Sequence, residues 1–436
     1  MNKEMIAIFF MYKTTEMENT KVNMKQSSTL KPQTVVNMKF LFVSFIINIF
    51  PLFINFVWIL LLREYRSEFL KKDITVQLHN SMICAIFLFN MVLYIFLMII
   101  FFFIQKKRFI VSERINIFFV RKKIELFLCF IIIGKLLFFL KTGVGKAASE
   151  WSVNRFSFIF NMFNLDTLFL VYYLSFRTVA NRRFVLIVIL YTIFKILSGW
   201  TGFILTIVLM EIYCHINSKK VKKYLLLLPS VFLVGALAYQ FIYPLKMFIR
   251  LGVMNSITYS EALIKLIERL SWFSHSCVGV QNSDKILELY RSYGYIHTEI
   301  KAFFRPFVPS FIFPDKKFRS VGNLIMNSVY PKLGDTTSSN FGQLVYLYNL
   351  FRISISDFVL YFIILFINTF LYKFFMDMVS PNKSQGISFS SNYILFSYFL
   401  SMFSVGALEN ISYGWISIIW TYLFLFCIGA IRIARK

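Results

Sequence analysis

The sequence predicts an all-α, polytopic membrane protein with about ten transmembrane helices and one large, partly helical periplasmic loop. Three observations predict it. The chain is 58% hydrophobic and 16% charged, with a mean hydropathy of +0.66, whereas a soluble domain carries about 25% charged residues. Several apolar runs approach the roughly 20 residues that cross a bilayer as a helix. A single polar stretch, 244–352, interrupts an otherwise apolar chain. Solid apolar blocks, rather than alternating ~10-residue segments, exclude a β-barrel.

The formal net charge of +26 does not point to nucleic acid. The basic residues cluster at the ends of apolar runs, where membrane topology places them. Of the five cysteines, Cys84, Cys129, Cys214 and Cys427 fall in apolar runs and Cys277 stands alone in the large loop. That is neither a disulfide framework nor a zinc site. The short apolar run Ile6–Tyr12 lacks a small-residue cleavage site, so residues 1–39 are expected to form a cytoplasmic tail.

The expected spans, in order, are Phe40–Leu62, Met82–Ile104, Ile124–Leu140, Phe156–Phe176, Phe184–Leu197, Gly202–Ile216, Tyr224–Tyr243, Ile353–Phe375, Ser388–Leu408 and Ser412–Ala430. The fifth and sixth are short enough to form a buried hairpin. The division is therefore a tail at 1–39, seven helices over 40–243, a loop at 244–352, three helices over 353–431 and a tail at 432–436. Alternate loops carry Lys106, Lys107, Arg108, Arg114 and Arg121–Lys123, then Arg177, Arg182 and Arg183, then Lys219, Lys220, Lys222 and Lys223. The C-terminal tail adds Arg432, Arg435 and Lys436, whereas segment 63–81 mixes both signs. Positive loops stay inside. Both termini are then cytoplasmic, and 244–352 faces the opposite side.

Within the loop, Thr258 and Glu261 have capping-box spacing for a helix. Leu263, Leu266, Ile267, Leu270 and Phe273 continue it as an apolar stripe. A second helix is expected over 283–293, with Gly294 as its stop. Pro306, Pro309 and Pro314 break up the chain that follows.

No phosphate-binding glycine loop, fixed-spacing carboxylate pair or metal-ligand cluster occurs, so neither a metal nor a cofactor is expected. Arginine and lysine beside aromatic residues are what the loop offers. Lys265 and Arg269 share a helical face, with Trp272 and Phe273 a turn further on. Arg250, Arg305, Lys316, Lys317 and Arg319 add positive charge suited to phosphate oxygens. A solvated ion-pair face is the plain alternative for Glu261, Lys265 and Arg269. Asp166, with Asn161 and Asn164, interrupts the fourth span, where an ionisable group is costly and by default functional. Helix–helix hydrogen bonding is its structural alternative.

The layout resembles the Wzy-type O-antigen polymerases, which join lipid-linked oligosaccharide repeat units. The topology with one large loop before the last spans carries the resemblance. So do the hairpin Ser198–Gly199–Trp200–Thr201–Gly202 and the stretch Glu268–Arg269–Leu270–Ser271. The run Val308–Pro309–Ser310 with Phe313–Pro314–Asp315–Lys316–Lys317, followed by Thr336–Thr337–Ser338–Ser339–Asn340–Phe341–Gly342, completes it. Trp200 or Thr201 stands where many relatives have arginine, so no phosphate-binding role is carried onto that turn.

The resemblance implies glycosyl transfer at the periplasmic face of a bacterial inner membrane. The growing chain on undecaprenyl diphosphate would pass to a new lipid-linked repeat. Arg269, Arg250, Arg305, Lys316, Lys317 and Arg319 would hold the diphosphate, and Trp272 and Asn340 the sugars. Glu299, His275 and Asp166 are candidates for the base that deprotonates the acceptor hydroxyl. A chain-length regulator and a flippase are candidate partners. The nearest rival is an O-antigen ligase, which relies on a loop histidine and keeps His275 in view. A lipid-linked oligosaccharide flippase would instead show repeat symmetry and no long outer loop.

Overall fold

A computed structural model of the chain describes residues 36–67, 74–107, 115–142, 164–198, 202–215, 221–252, 254–293, 300, 303–304, 326, 341–380, 391–406 and 408–435. The protein is mostly helical. Among the described residues, three helices are long and apolar enough to cross a membrane: α1 (Met38–Leu62), α2 (Asn80–Lys106) and, later in the chain, Ile355–Met378.

Each expected apolar segment overlaps a helix among the described residues. After α2 come strand β1 (Ile115–Phe119), α3 (Arg121–Thr142), α4 (Leu165–Phe176), α5 (Arg182–Leu197), α6 (Phe203–His215) and α7 (Val221–Leu251). The loop contributes α8 (Tyr259–Leu270), α9 (Phe273–Gln281), α10 (Ser283–Tyr293) and α11 (Gln343–Ile353). The last three apolar helices are α12 (Ile355–Met378), α13 (Ser391–Val405) and α14 (Leu408–Cys427), followed by β2 (Ile431–Arg435).

The bundle is apolar outside as well as inside. Phe42, Phe50, Phe89, Phe103, Phe130, Phe241 and Phe366 are exposed, while Ser44, Asn48, Asn55 and Asn90 are buried. Apolar surface on this scale belongs against lipid. Inside, some of the buried polar groups pair with each other: Ser44 Oγ lies 2.8 Å from Tyr94 Oη, and Asn48 donates to the Ser44 carbonyl at 2.8 Å.

The sequence-based expectation needs three corrections. α7 does not stop at Tyr243; it runs through Pro244 to Leu251. Proline removes one intrahelical hydrogen bond, but the apolar residues beyond it, Leu245, Met247 and Phe248, carry the helix on. The last residues of the loop form a helix of their own, α11, which neither of the two expected loop helices covers. The fold is also not purely α: β1 and β2 pair antiparallel, with Ile117 opposite Ile433. The described part of the fourth apolar segment begins at Asn164, and residues 143–163 lie outside the described residues.

Two sets of contacts define the ends of the bundle. At one end β1, which follows α2, pairs with β2, which follows α14. Ion pairs cluster at that end: Arg121 with Glu125 at 2.6 Å, Arg177 with Glu211, and Lys373 with Asp377 at 2.6 Å. At the other end the connection between α1 and α2 meets α9, as described next.

Candidate functional site

The site starts from the expected capping box. The Thr258 backbone N–H donates to Glu261 Oε2 at 2.8 Å, and the Glu261 N–H donates to Thr258 Oγ1 at 3.3 Å. The Thr258 backbone N–H, and then its hydroxyl, hold the exposed Glu261 carboxyl below the usual carboxylate range. The amphipathic helix α8 that follows packs against α7 and α1. Lys265 does not stand on a purely solvated face; its ammonium lies 4.8 Å from the ring centre of Tyr243 on α7.

α8 ends at Leu270 because Ser271 is extended, with φ −115° and ψ 124°. A separate helix, α9, then begins. Residues Phe273–Val280 are all buried, which is unlike an amphipathic surface helix. Phe273 meets Phe56 of α1 and Phe87 of α2 edge-on, each at 5.9 Å. Both partners lie about two turns inside their helices and stack on each other at 4.5 Å, so α9 packs against the α1–α2 pair. On its other side α9 lies close to α11: a Cβ at Gly279 would fall 2.7 Å from Val345 Cγ1. Serine, histidine, glycine and valine are indifferent helix formers, and burial rather than propensity makes this helix.

A chain of hydrogen bonds joins α9 to α1 and to the α1–α2 connection. The Arg66 backbone N–H donates to Ser274 Oγ at 3.1 Å, and Ser274 Oγ donates to Asn55 Oδ1 at 3.0 Å. Asn55 Nδ2 donates back to the Arg66 carbonyl and to Ser271 Oγ, each at 3.2 Å. Ser67 Oγ lies 2.6 Å from His275 Nε2. Tyr65 Oη donates to Gln281 Oε1 at 2.6 Å, which also accepts from the Gln77 N–H at 3.0 Å. Burial keeps the Tyr65 hydroxyl far above the usual phenol range, so it remains a donor.

The α11 end of the site is equally tight. Gly342 has φ +79°, and a Cβ there would meet the Trp272 ring at 2.7 Å. Ser276 Oγ donates to the Phe341 carbonyl at 2.7 Å, and Gln343 Nε2 donates to Tyr361 Oη at 2.7 Å. Tyr361 in turn donates to the Gly406 carbonyl. Trp272 Nε1 and Gln343 Oε1 are shielded without a hydrogen-bond partner.

The candidate residues fall into three groups. Arg269, Trp272 and His275 are gathered here. Arg269 is half-buried in the last turn of α8. Trp272 packs edge-on against Phe403 at 5.2 Å. His275 is buried, with Ser67 on Nε2 and the Phe341 ring 5.6 Å away. Asp166 is elsewhere, on α4, which packs against α3 and α14. Its carboxylate takes Tyr191 Oη at 2.8 Å and Lys195 Nζ at 2.7 Å, and Asn164 caps the helix in front of it. A shallow groove lined by Phe127, Ile131, Leu168 and Phe424 opens beside Asn164. Arg250 is in the last turn of α7, with its side chain outside the described residues. Glu299, Arg305, Lys316, Lys317, Arg319 and Asn340 also lie outside the described residues.

Sequence reasoning passed over Asn55, Arg66, Ser67, Gln281 and Gln343. Asn55 was the accessible signal, an amide within an apolar span that needs a partner. Among the described residues no group of three or more histidine, cysteine or carboxylate side chains is placed to hold a metal ion.

Chemically, the arrangement is a rigid, water-poor floor of paired hydroxyl and amide groups, with Arg66 and Arg269 beside it. Such a floor can position cations for an anionic ligand without supplying a nucleophile of its own. Comparison with protein-family models, curated proteins and solved structures finds no match for this chain.

Proposed function

We propose that this membrane protein is a polysaccharide polymerase. It transfers a growing glycan from undecaprenyl diphosphate to a new lipid-linked repeat unit at the outer face of a bacterial inner membrane. One observation carries the reading: α9, from the large polar stretch, is buried against α1 and α2 and hydrogen-bonded to α1 and to the α1–α2 connection. A loop that merely joined two membrane helices would have no reason to be built into them. A loop that must hold a polar headgroup over a lipid anchor needs such a rigid seat.

The alternation of basic loops supports ten spans, and the two ends of the bundle agree with it. Segments expected inside, β1 and β2, meet each other. Segments expected outside, 64–77 and 271–281, meet each other. In this reading the arginines beside the floor stabilise charge developing on the diphosphate as the glycosidic bond breaks.

The ligase alternative draws less support from His275, the histidine that keeps it in view. His275 is 4% exposed, with Nε2 already engaged. Deletion of the gene, followed by gel analysis of surface polysaccharide, tests the proposal. A polymerase loss leaves lipid capped with a single repeat, and a ligase loss leaves none attached. A full ladder of chain lengths in the deletion strain would overturn it.

A further inference from the structure

Two arginines stand three residues apart in the connection between α1 and α2, and the structure treats them differently. Arg63 is spent on the fold: Nη1 donates to Asn80 Oδ1 at 2.6 Å and Nη2 to the Leu78 carbonyl at 2.8 Å. Arg66 is not. Among the described residues its side chain has one hydrogen-bond partner, the exposed Glu64, at a long 3.4 Å. Its Nε is shielded from solvent and has no hydrogen-bond partner among the described residues.

A guanidinium in solution would satisfy these donors with water. Here the side chain cannot drift away to do so. The Arg66 backbone is closed into a ring with Asn55 and Ser274. Tyr65 and Ser67 on either side are buried and tied to Gln281 and His275. The guanidinium carbon itself lies 4.1 Å from the centre of the Trp58 ring, a cation–π contact. The side chain remains 28% exposed. A charged fork is therefore held in place, open on one side, with donors left over. Holding a fork in this way suits bidentate recognition of an oxyanion.

We infer that Arg66 is a binding residue for a phosphate-type oxyanion, and that in the polymerase this is the diphosphate of the lipid-linked substrate. The inference rests on the proposed function for the identity of the ligand, and on geometry for the residue. Glu64 is the competitor that the anion displaces: removing its charge leaves Arg66 nothing to release.

The test uses the full chain in nanodiscs of zwitterionic lipid, titrated with farnesyl diphosphate by calorimetry. Arg66→Gln is expected to weaken binding about tenfold or more, the loss of one charge-assisted contact. Glu64→Gln is expected to strengthen it, which a merely structural Arg66 would not produce. Equal binding by the wild type and Arg66→Gln would overturn the inference and leave the polymerase reading standing. No binding by the wild type would overturn both. Loss of the effect when the nanodiscs contain phosphatidylglycerol would assign Arg66 to bulk headgroups and overturn its substrate role. Where Arg66→Gln fails to fold, Glu64→Gln decides alone, and unchanged affinity in it overturns the inference.

Discussion

Asn55 Oδ1 accepts a 3.0 Å hydrogen bond from Ser274 Oγ, joining the first apolar helix to a loop helix 219 positions later. The same amide donates to Ser271 Oγ and to the Arg66 carbonyl. Replacing it with leucine orphans several buried polar groups at once. Each costs about 1–3 kcal/mol. Asn55→Leu is therefore expected to lower the thermal midpoint of the detergent-purified protein by several degrees, whereas an exposed apolar control such as Phe50→Leu leaves it in place. An unchanged midpoint in Asn55→Leu would show that the network contributes nothing.

His275 is placed as a tie, since its Nε2 meets Ser67 inside the bundle. Glutamine keeps a polar group near that position. His275→Gln is accordingly expected to retain a polysaccharide ladder, while His275→Leu loses protein abundance. A protein of normal abundance without polymer in His275→Gln would instead place the imidazole in the chemistry.

Arg269 stands at the end of α8, beside the floor. Arg269→Ala is expected to abolish long chains without reducing protein abundance. Normal chain length in that strain would remove Arg269 from the site.

Gly342 combines φ +79° with a Cβ position 2.7 Å from the Trp272 ring. Alanine there meets both a left-handed backbone penalty and a clash, each of about 1–3 kcal/mol. Gly342→Ala is expected to destabilise strongly in a thermal-shift assay, and Gly134→Ala, which meets nothing within 4 Å, is expected to be close to neutral.

The Glu261 carboxyl is held below its usual range by the Thr258 backbone and side chain. A depressed carboxyl pKa contributes stability above the unfolded value, roughly pH 4.3, and that stability is lost as pH falls through the folded value. Protection from hydrogen exchange at the start of α8, measured relative to the intrinsic rate at each pH, is expected to fall on acidification through that window, and Glu261→Gln is expected to make that protection independent of pH. Protection at Ala262 that is insensitive to this pH change would contradict the assignment.

The sequence by itself determined the class and the local elements. Apolar runs placed the three helices long enough to cross a membrane, because contact with lipid requires an apolar surface wherever the helix packs. The cap at Thr258 and the helix at Ser283–Tyr293 were equally legible, since caps and amphipathic stripes are local. Only tertiary structure decided where α9 goes. FSHSCVGVQ has no helical periodicity of its own; it becomes a helix because α1, α2 and α11 enclose it and because Asn55, Ser67 and Tyr65 complete its hydrogen bonds. The difference between Arg63 and Arg66 was likewise invisible in one dimension. Both read as arginines in a mixed-sign loop, and the donors each has left over depend on carbonyls and amides supplied by distant parts of the chain.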